Sequence, residues 1–394
     1  MLIYSYWSIA NLFNDNLYTQ DHDKNMIRFF LFILTIFSLV FIFLGFNLTG
    51  IGYYSWLISG FLVGTILLYP LAWYNVFSDK VEMVVRNMAY FNMVFVSMLI
   101  VLLLTRTVIS LLFMSIKPDW SYLIFSQSVT MFFFALSIVL VLVGYINAKK
   151  GPQIISVDIP FADLPEELSG YTIAHISDLH AGPTINVKYV ANVVDKVLSL
   201  NADVVVLTGD IADGSFNKYH DRVEPLSLLA KKSPALFVPG NHEYIKDGNA
   251  WLNHFKKLGI EVLLNEHRVL IKNTGKILFG GVIDPAGRSV VGVGPDLNKT
   301  LHNHPEVDLK ILLAHQPNIA KQAHEFFDLQ LSGHTHAGQF FPFNIAIKFV
   351  QPFVKGLEKY KGMWLYTNTG TGYWGPAMRL GTISEITHLR LVKQ

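Results

Sequence analysis

The 394-residue sequence predicts an N-terminal bundle of four transmembrane α-helices followed by a C-terminal α/β domain. Three observations carry this. First, 52% of the residues are hydrophobic and only 15% charged, with a mean hydropathy of +0.37, which is too apolar for a soluble domain of this length. Second, the apolar residues are concentrated between Met26 and Ala148 in runs long enough to cross a bilayer. Third, from Lys149 onward short β-branched runs alternate with segments of helical spacing, the pattern of strands and helices in turn. The composition breaks at Lys149-Lys150-Gly151-Pro152, so the chain divides into a membrane part, 1–150, and a second domain, 151–394.

A helical span needs about 20 apolar residues. Four stretches satisfy this, at about 26–48, 53–76, 88–116 and 120–147. The first is too long for a cleavable signal sequence, lacks a small-residue cleavage site and precedes three further spans. Tyr53, Tyr54 and Trp56, then Trp73 and Tyr74, then Trp120 and Tyr122 lie near span ends, where interfacial aromatic residues belong. Lys24, Arg28, Lys80, Arg86, Lys149 and Lys150 flank the spans on one side and Lys117 on the other, which places the N-terminus and the second domain in the cytoplasm. The chain is therefore expected to be a multi-pass protein of the inner (cytoplasmic) membrane. Arg106, in "LLLTRTVIS", is either a functional charge inside the third span or, the reading favoured here, marks the end of that span near Thr105 and snorkels to the headgroups. The "DHD" at 21–23, followed by Lys24, is expected to be a solvated flank. A net charge of +2 argues neither for nor against a nucleic-acid partner, and with no cysteine the chain forms no disulfide.

In the second domain, "YTIAHISD" (171–178), "ADVVVLTGD" (202–210) and "PALFVPGN" (234–241) are buried-strand candidates, separated by helical spacing at 186–200 and 221–232. Further strands are expected at 260–265, 268–273, 277–283, 308–314 and 328–332, with a helix at about 317–327. "MWLYTNTG" (363–370) and "ISEITHLRLV" (383–392) complete the strand set, whereas the Phe-rich stretch 341–362 has no clear pattern.

The polar residues fall where these apolar strands end. Asp178 and His180 ("SDLH") follow the first strand, Asp210 ("TGD") the second, and Asn241 with His242 ("PGNHE") the third. His315 ("LLAHQP") ends a later strand, and His334 with His336 ("SGHTH") another. A lone His-x-His is most often a strand-end accident. Five strand ends carrying only O and N donors are a different matter, because strand ends form the ligand crevice of α/β sheets. Such donors suit Mn, Fe, Zn or Co rather than a structural zinc site, which favours cysteine. More than four ligands implies more than one ion, with Asp210 the natural bridge.

"DLH", "GD", "GNHE", a later "H" and "GHTH", in that order, resemble the calcineurin-like metallophosphoesterase family over about residues 168–394. "SGHTHAGQ" and "TGTGYWGPAMRLG" resemble its bacterial branch with N-terminal membrane segments. The resemblance implies a four-layer α/β/β/α sandwich and two divalent metal ions, Mn, Fe or Zn. One would take Asp178, His180, Asp210 and His336, and the other Asp210, Asn241, His315 and His334. It further implies hydrolysis of phosphodiester bonds, or of phosphomonoester or pyrophosphate bonds, through a hydroxide shared by ions about 3.5–4 Å apart. His242 would protonate the leaving alkoxide or hold the phosphoryl oxygens. Glycines 209, 240 and 333 would let the backbone approach the ions. Arg379, in the matched tail, is a candidate substrate contact or equally a surface residue, and Asp213 reads as a turn residue rather than a ligand. His254, His267, His302, His304 and His324 read as surface or helix-face histidines. The expected partners are the lipid bilayer and a phosphate-ester substrate, lipid-linked or soluble, with the oligomeric state open. The alternatives are an inactive phosphoesterase-fold interaction module, which should have lost ligands, and a regulatory domain of a membrane transporter or sensor.

Overall fold

The computed structural model describes residues 22–48, 51–67 and 79–394, and the chain divides into two compact units, Met1–Ile138 and Val139–Gln394. The first unit is helical: α1 (His22–Asn47), α2 (Tyr54–Leu67), α3 (Asp79–Met114), a short helix at Pro118–Ile124, and the beginning of α4 (Gln127–Lys149). Helices thus lie on all four apolar stretches. Two of them, at Val81–Met114 and Gln127–Lys149, are long and apolar enough to cross a membrane, while Leu31–Asn47 and Tyr54–Leu67 form shorter apolar helices. The end of the predicted second span, residues 68–76 with Trp73 and Tyr74, lies outside the described residues, as does most of the N-terminal flank, including Asp21. The fourth span was expected from residue 120. The structure breaks it at Phe125 and Ser126, and α4 begins only at Gln127.

Arg106 corrects an expectation. The third helix does not end near Thr105 but continues to Met114, and Arg106 is buried rather than reaching outward. Its guanidinium donates to Thr130 Oγ1 (2.8 Å) and to the Asn47 carbonyl (2.8 Å) and side-chain oxygen (3.1 Å). It also lies over the Phe125 ring. The C-terminal carbonyls of a helix have no partners within it, so the end of α1 is a ready acceptor for a cation.

The second unit is built on two six-stranded sheets. In one the order is β1 (Gln153–Phe161), β12 (Glu385–Lys393), β2 (Thr172–Ile176), β3 (Val204–Thr208), β4 (Ala235–Val238), β5 (Glu261–Val262). In the other it is β10 (Gly356–Tyr360), β11 (Met363–Thr367), β9 (Leu329–Ser332), β8 (Leu309–Leu313), β7 (Gly275–Gly281), β6 (Glu266–Lys272). The central strands β2 to β5 and β7, β8, β9 and β11 are parallel. Buried parallel strands read as unbroken apolar runs, because successive side chains enter different layers. Ile173, Val204, Val206, Leu236 and Val238 enter the core between the sheets, where they meet Ile277, Phe279, Ile311, Leu313, Leu329 and Leu331. Their neighbours Ala174, Ile176, Val205, Leu207 and Phe237 point the other way, onto helices. Leu278 and Leu312 do the same on the far face of the second sheet. Each such side chain, fully buried, contributes roughly 1.5–3 kcal/mol.

Helix α5 (Val187–Ser199) covers the first sheet with Val190, Val193, Val194 and Val197, a spacing that repeats on one helical face. Its start is set by Asn186, whose side chain accepts from the Tyr189 amide at 3.1 Å. Helix α6 (Gly248–Lys257), which the pattern did not announce, adds Trp251, Leu252 and Phe255 to the same layer. The outer layer on the second sheet is thin: it has a helical turn at Leu297–Thr300, and turns at Pro317–Ile319 and Ala320–Ala323 stand where a single helix was expected at 317–327. The four-layer sandwich implied by the resemblance is therefore present. Strands β1 and β10 and helix α7 (Phe343–Val350) are additions to the expected set.

Candidate metal centre

The parallel strands β2, β3, β8 and β9 run in one direction, so the turns that follow them gather at one end of the sandwich. Asp178 and His180 follow β2, Asp210 follows β3, Asn241 and His242 follow β4, His315 follows β8, and His334 and His336 follow β9. The turns are bonded to one another: the Asp178 amide donates to the Gly209 carbonyl (3.0 Å), the His180 amide to that of Asp210 (2.9 Å), and the Gly333 amide to that of His315 (3.0 Å). This network holds Asp178, His180, Asp210, His334 and His336 in left-handed backbone conformations, with φ between 49° and 70°. Each such non-glycine residue costs about 1–3 kcal/mol, persists only where the surroundings enforce it, and marks functional sites. A side chain at Gly240 would collide with the Asp210 carboxylate, and one at Gly333 with Ser177 and the Asp178 carboxylate, so both turns need glycine for close approach.

The donor atoms converge. The Nε2 atoms of His180 and His336 are 3.0 Å apart, and His336 Nε2 lies 3.3 Å from Asp178 Oδ1. Asp210 Oδ2 is 3.2 Å from His315 Nε2 and 3.9 Å from His180 Nε2, so one carboxylate faces both groups. His315 Nε2 also meets Asn241 Oδ1 (3.2 Å) and His334 Nδ1 (3.1 Å). Among the described residues, three triads have ligand atoms within 4.8 Å of one another: Asp178, His180 and His336; His180, Asp210 and His242; Asp210, His315 and His334. Donor–donor edges near 3 Å follow from metal–donor bonds of about 2.1 Å, so the residues fit divalent cations.

The electrostatics agree. Burial holds the imidazoles of His180 and His334 down to about 3, and that of His336 well below its usual range, so all three present lone pairs. Burial opposes charge on His315 as well, yet Asp210, Asp178 and Asp284 outweigh it and raise it well above the ordinary value. The site thus favours positive charge where a cation would sit. His315 Nδ1 bonds the Thr208 carbonyl (2.8 Å), which turns Nε2 toward Asp210. Burial pushes Asp178 up to about 6, although it accepts from Ser177 Oγ (2.6 Å) and the His334 amide (2.9 Å).

Two residues that the sequence left without a role belong to this centre. Asp213, read as a turn residue, has a carboxylate oxygen 3.1 Å from His242 Nδ1. Glu243 is fully buried and accepts from four backbone amides: Gly240 (2.7 Å), Asp210 (2.9 Å), Ile211 (2.7 Å) and Ala212 (2.9 Å). It clamps the Asp210 turn to the Asn241 turn. Glu243→Ala would leave four buried donors unpaired, an expected loss of roughly 3–5 kcal/mol, while Glu243→Gln keeps the acceptor oxygen and part of the clamp. Thermal unfolding of the purified chain checks this: the midpoint should fall by roughly 10 °C for alanine and by less for glutamine.

Arg379 takes a different place from the one expected. Its guanidinium is fully buried and donates to the carbonyls of Thr369 (2.8 Å), Gly370 (3.1 Å) and His336 (3.2 Å). It braces the 369–372 turn against a candidate ligand, so it is a positioning residue. Of the other histidines, His254 pairs with Glu224 at 3.2 Å and His267 bonds the Thr300 carbonyl, both away from the centre.

O and N donors gathered at the strand ends of a two-sheet sandwich define a metal-binding α/β/β/α protein. The calcineurin-like phosphoesterase profile matches residues 171–338. An uncharacterized metallophosphoesterase of Aquifex aeolicus is 32% identical over 211 residues, covering 53% of this chain and 80% of that protein. The chain belongs to the calcineurin-like phosphoesterase family. A Danio rerio transmembrane protein with metallophosphoesterase domain is 37% identical over 263 residues, 64% of this chain and 60% of its own length. An uncharacterized metallophosphoesterase of Helicobacter pylori is 35% identical over 253 residues, 63% of this chain and 66% of that protein. The chain therefore spans about 60% of the length of the zebrafish relative.

Proposed function

We propose that the protein is a membrane-anchored phosphoesterase that holds two divalent ions and hydrolyses phosphodiester bonds. The observation that carries this is the carboxylate of Asp210, which faces both His180 and His315 from between two donor groups. Asp178, His180, Asp210 and His336 would hold one ion, and Asp210, Asn241, His315 and His334 the other. Two such ions, when bound, would neutralise charge on the phosphate oxygens and acidify a water toward a near-neutral pKa. His242 is the proton donor to the leaving oxygen. Burial opposes its protonation, but Asp210 and Asp213 outweigh burial and lift it to about 9, so it is protonated at neutral pH. The contact between Nδ1 and the Asp213 carboxylate holds the imidazole in a fixed orientation at the centre, as a proton donor requires. All seven ligand positions keep metal-binding side chains, which an inactive interaction module would not require.

The test uses the full chain in detergent, saturated with Mn, Zn, Mg or Fe in turn and offered an aryl phosphodiester, an aryl phosphomonoester, nucleotides and phospholipid headgroups. Two bound ions per chain and turnover of the diester are expected. One ion or none at saturation, with no turnover, would sink the proposal.

Anchoring is supported by the two helices long enough to span and by the zebrafish relative, itself named a transmembrane protein. We extend this to four passes, with residues 53–76 as the second and the catalytic unit in the cytoplasm, on the strength of the basic flanks. Reporter fusions after Lys150 should then be active as cytoplasmic reporters, and activity confined to the outer face would reverse the topology.

A further inference from the structure

Helix α7 leaves the ligand loop within seven residues of His336 and presents an apolar face to solvent. Phe349 is 85% exposed, Val350 72% and Ile345 52%, and none of the eight residues of the helix is buried. Soluble surfaces seldom carry adjacent side chains of this kind without a partner. What covers them is indicated by what α7 is attached to. The Phe341 amide donates to the Leu380 carbonyl (2.9 Å), and Phe340 and Leu380 form a β-bridge. The same segment lies on the end of α4, whose residues from Val139 onward belong to the unit of the sheets. There the Arg379 amide donates to the Gly144 carbonyl (2.9 Å), and Asn147 Nδ2 donates to the Arg379 carbonyl (3.3 Å). A side chain at Gly144 would collide with Met378 and lie 3.3 Å from Leu380 Cβ, so the segment packs directly on the helix. One stretch of backbone, 378–381, therefore separates α7 from a helix long and apolar enough to cross a membrane.

Charge points the same way. Between Asp328 and Glu358 the sequence has no acidic residue, while Lys348 lies within α7 and Lys355 just beyond it. An amphipathic helix with an apolar face and flanking lysines is the form that lies in the plane of a bilayer surface. From these observations we propose that α7 is an in-plane membrane contact. Ile345, Phe349 and Val350 enter the boundary between headgroups and acyl chains, and Lys348 and Lys355 face anionic lipid phosphates. Because α7 continues from the ligand loop, the contact sets the metal centre beside the headgroup layer. Gln339 strengthens that link: it joins the loop to Trp374 by two hydrogen bonds (2.9 and 2.8 Å), and the Trp374 ring is 5.5 Å from His242. The proposal rests on the anchoring reading above and is independent of the reaction.

The chain has no cysteine, so single labels can be placed without removing native ones. Phe349→Cys, Val350→Cys and, as control, Ile271→Cys on edge strand β6, 65% exposed, would each carry a polarity-sensitive fluorophore in the full chain. The chains are reconstituted one per nanodisc with anionic lipid and quencher-bearing lipids whose quencher lies roughly 5–10 Å below the phosphates. Emission from positions 349 and 350 should fall about twofold and that from 271 should be unchanged, with the effect weakened in purely zwitterionic discs. Labels at 349 and 350 as unquenched as the control overturn the proposal while leaving anchoring intact. Protection that appears only when two chains share a disc makes a second copy the occupant and also overturns it. Release of the chain from vesicles by alkaline carbonate overturns both the contact and the anchoring.

Discussion

Asp210→Asn is expected to lose both metal ions and activity together while the chain still folds. The substitution keeps an oxygen that can accept from the His242 amide, now 2.8 Å from Asp210 Oδ1, so the turn retains its main internal bond. It removes the negative charge that faces His315 at 3.2 Å and His180 at 3.9 Å, and with it the charge that would balance the two proposed cations. Turnover should fall on the order of 10³-fold or more, about 4 kcal/mol of barrier. Metal analysis after gel filtration, beside a far-UV spectrum, checks this. Two ions per chain in the variant, or activity within a few-fold of the parent, would remove Asp210 from its bridging role.

His242→Ala separates metal binding from proton transfer. Its backbone amide donates to Asp210, a bond the substitution leaves in place. Both ions should therefore remain, and turnover should drop by about 10²–10⁴-fold. The deficit should shrink for a nitrophenolate leaving group, which needs no proton. The His242 side chain also lies within reach of His180 and Asp210, so loss of an ion in this variant would make it a ligand instead. Asp213→Asn probes the same group from behind. Asp213 is among the charges that raise His242, so neutralising it lowers the pKa of the imidazole. The protonated donor is then lost at lower pH, and the alkaline limb of the rate profile should move toward neutrality. An unmoved limb would leave Asp213 a purely structural partner.

The strand ends were legible because they are local: an apolar β-branched run followed by Asp, Asn or His is visible within about eight residues. Val204 to Asp210 and Leu329 to His336 are cases in point. The layers were legible for the same reason, since β3 must bury both Val205 and Val206 on opposite faces and so needs a covering on each side. Edge strand β1 escaped notice because its alternate residues stay exposed and its partner, β12, lies more than 200 residues away, with Gln153 paired to Glu385. Helix α6 opens with Gly248 and Asn249, poor helix formers, and its burial of Trp251 and Phe255 comes from packing alone.

By itself the sequence determined the candidate ligands, because ligand type and strand end are properties of short segments. Only the tertiary structure decided which groups face one another. Asp213 became the partner of His242 and Glu243 the clamp between two turns because residues about 30 positions apart meet across neighbouring strands. Arg379 became a brace for His336, and Arg106 a bond to the end of α1, because burial leaves a guanidinium no acceptors except the carbonyls and hydroxyls packed around it. Spacing along the chain carries no record of those distances. They follow from strand order, from left-handed turns that the backbone network enforces, and from the need to pair every buried polar group.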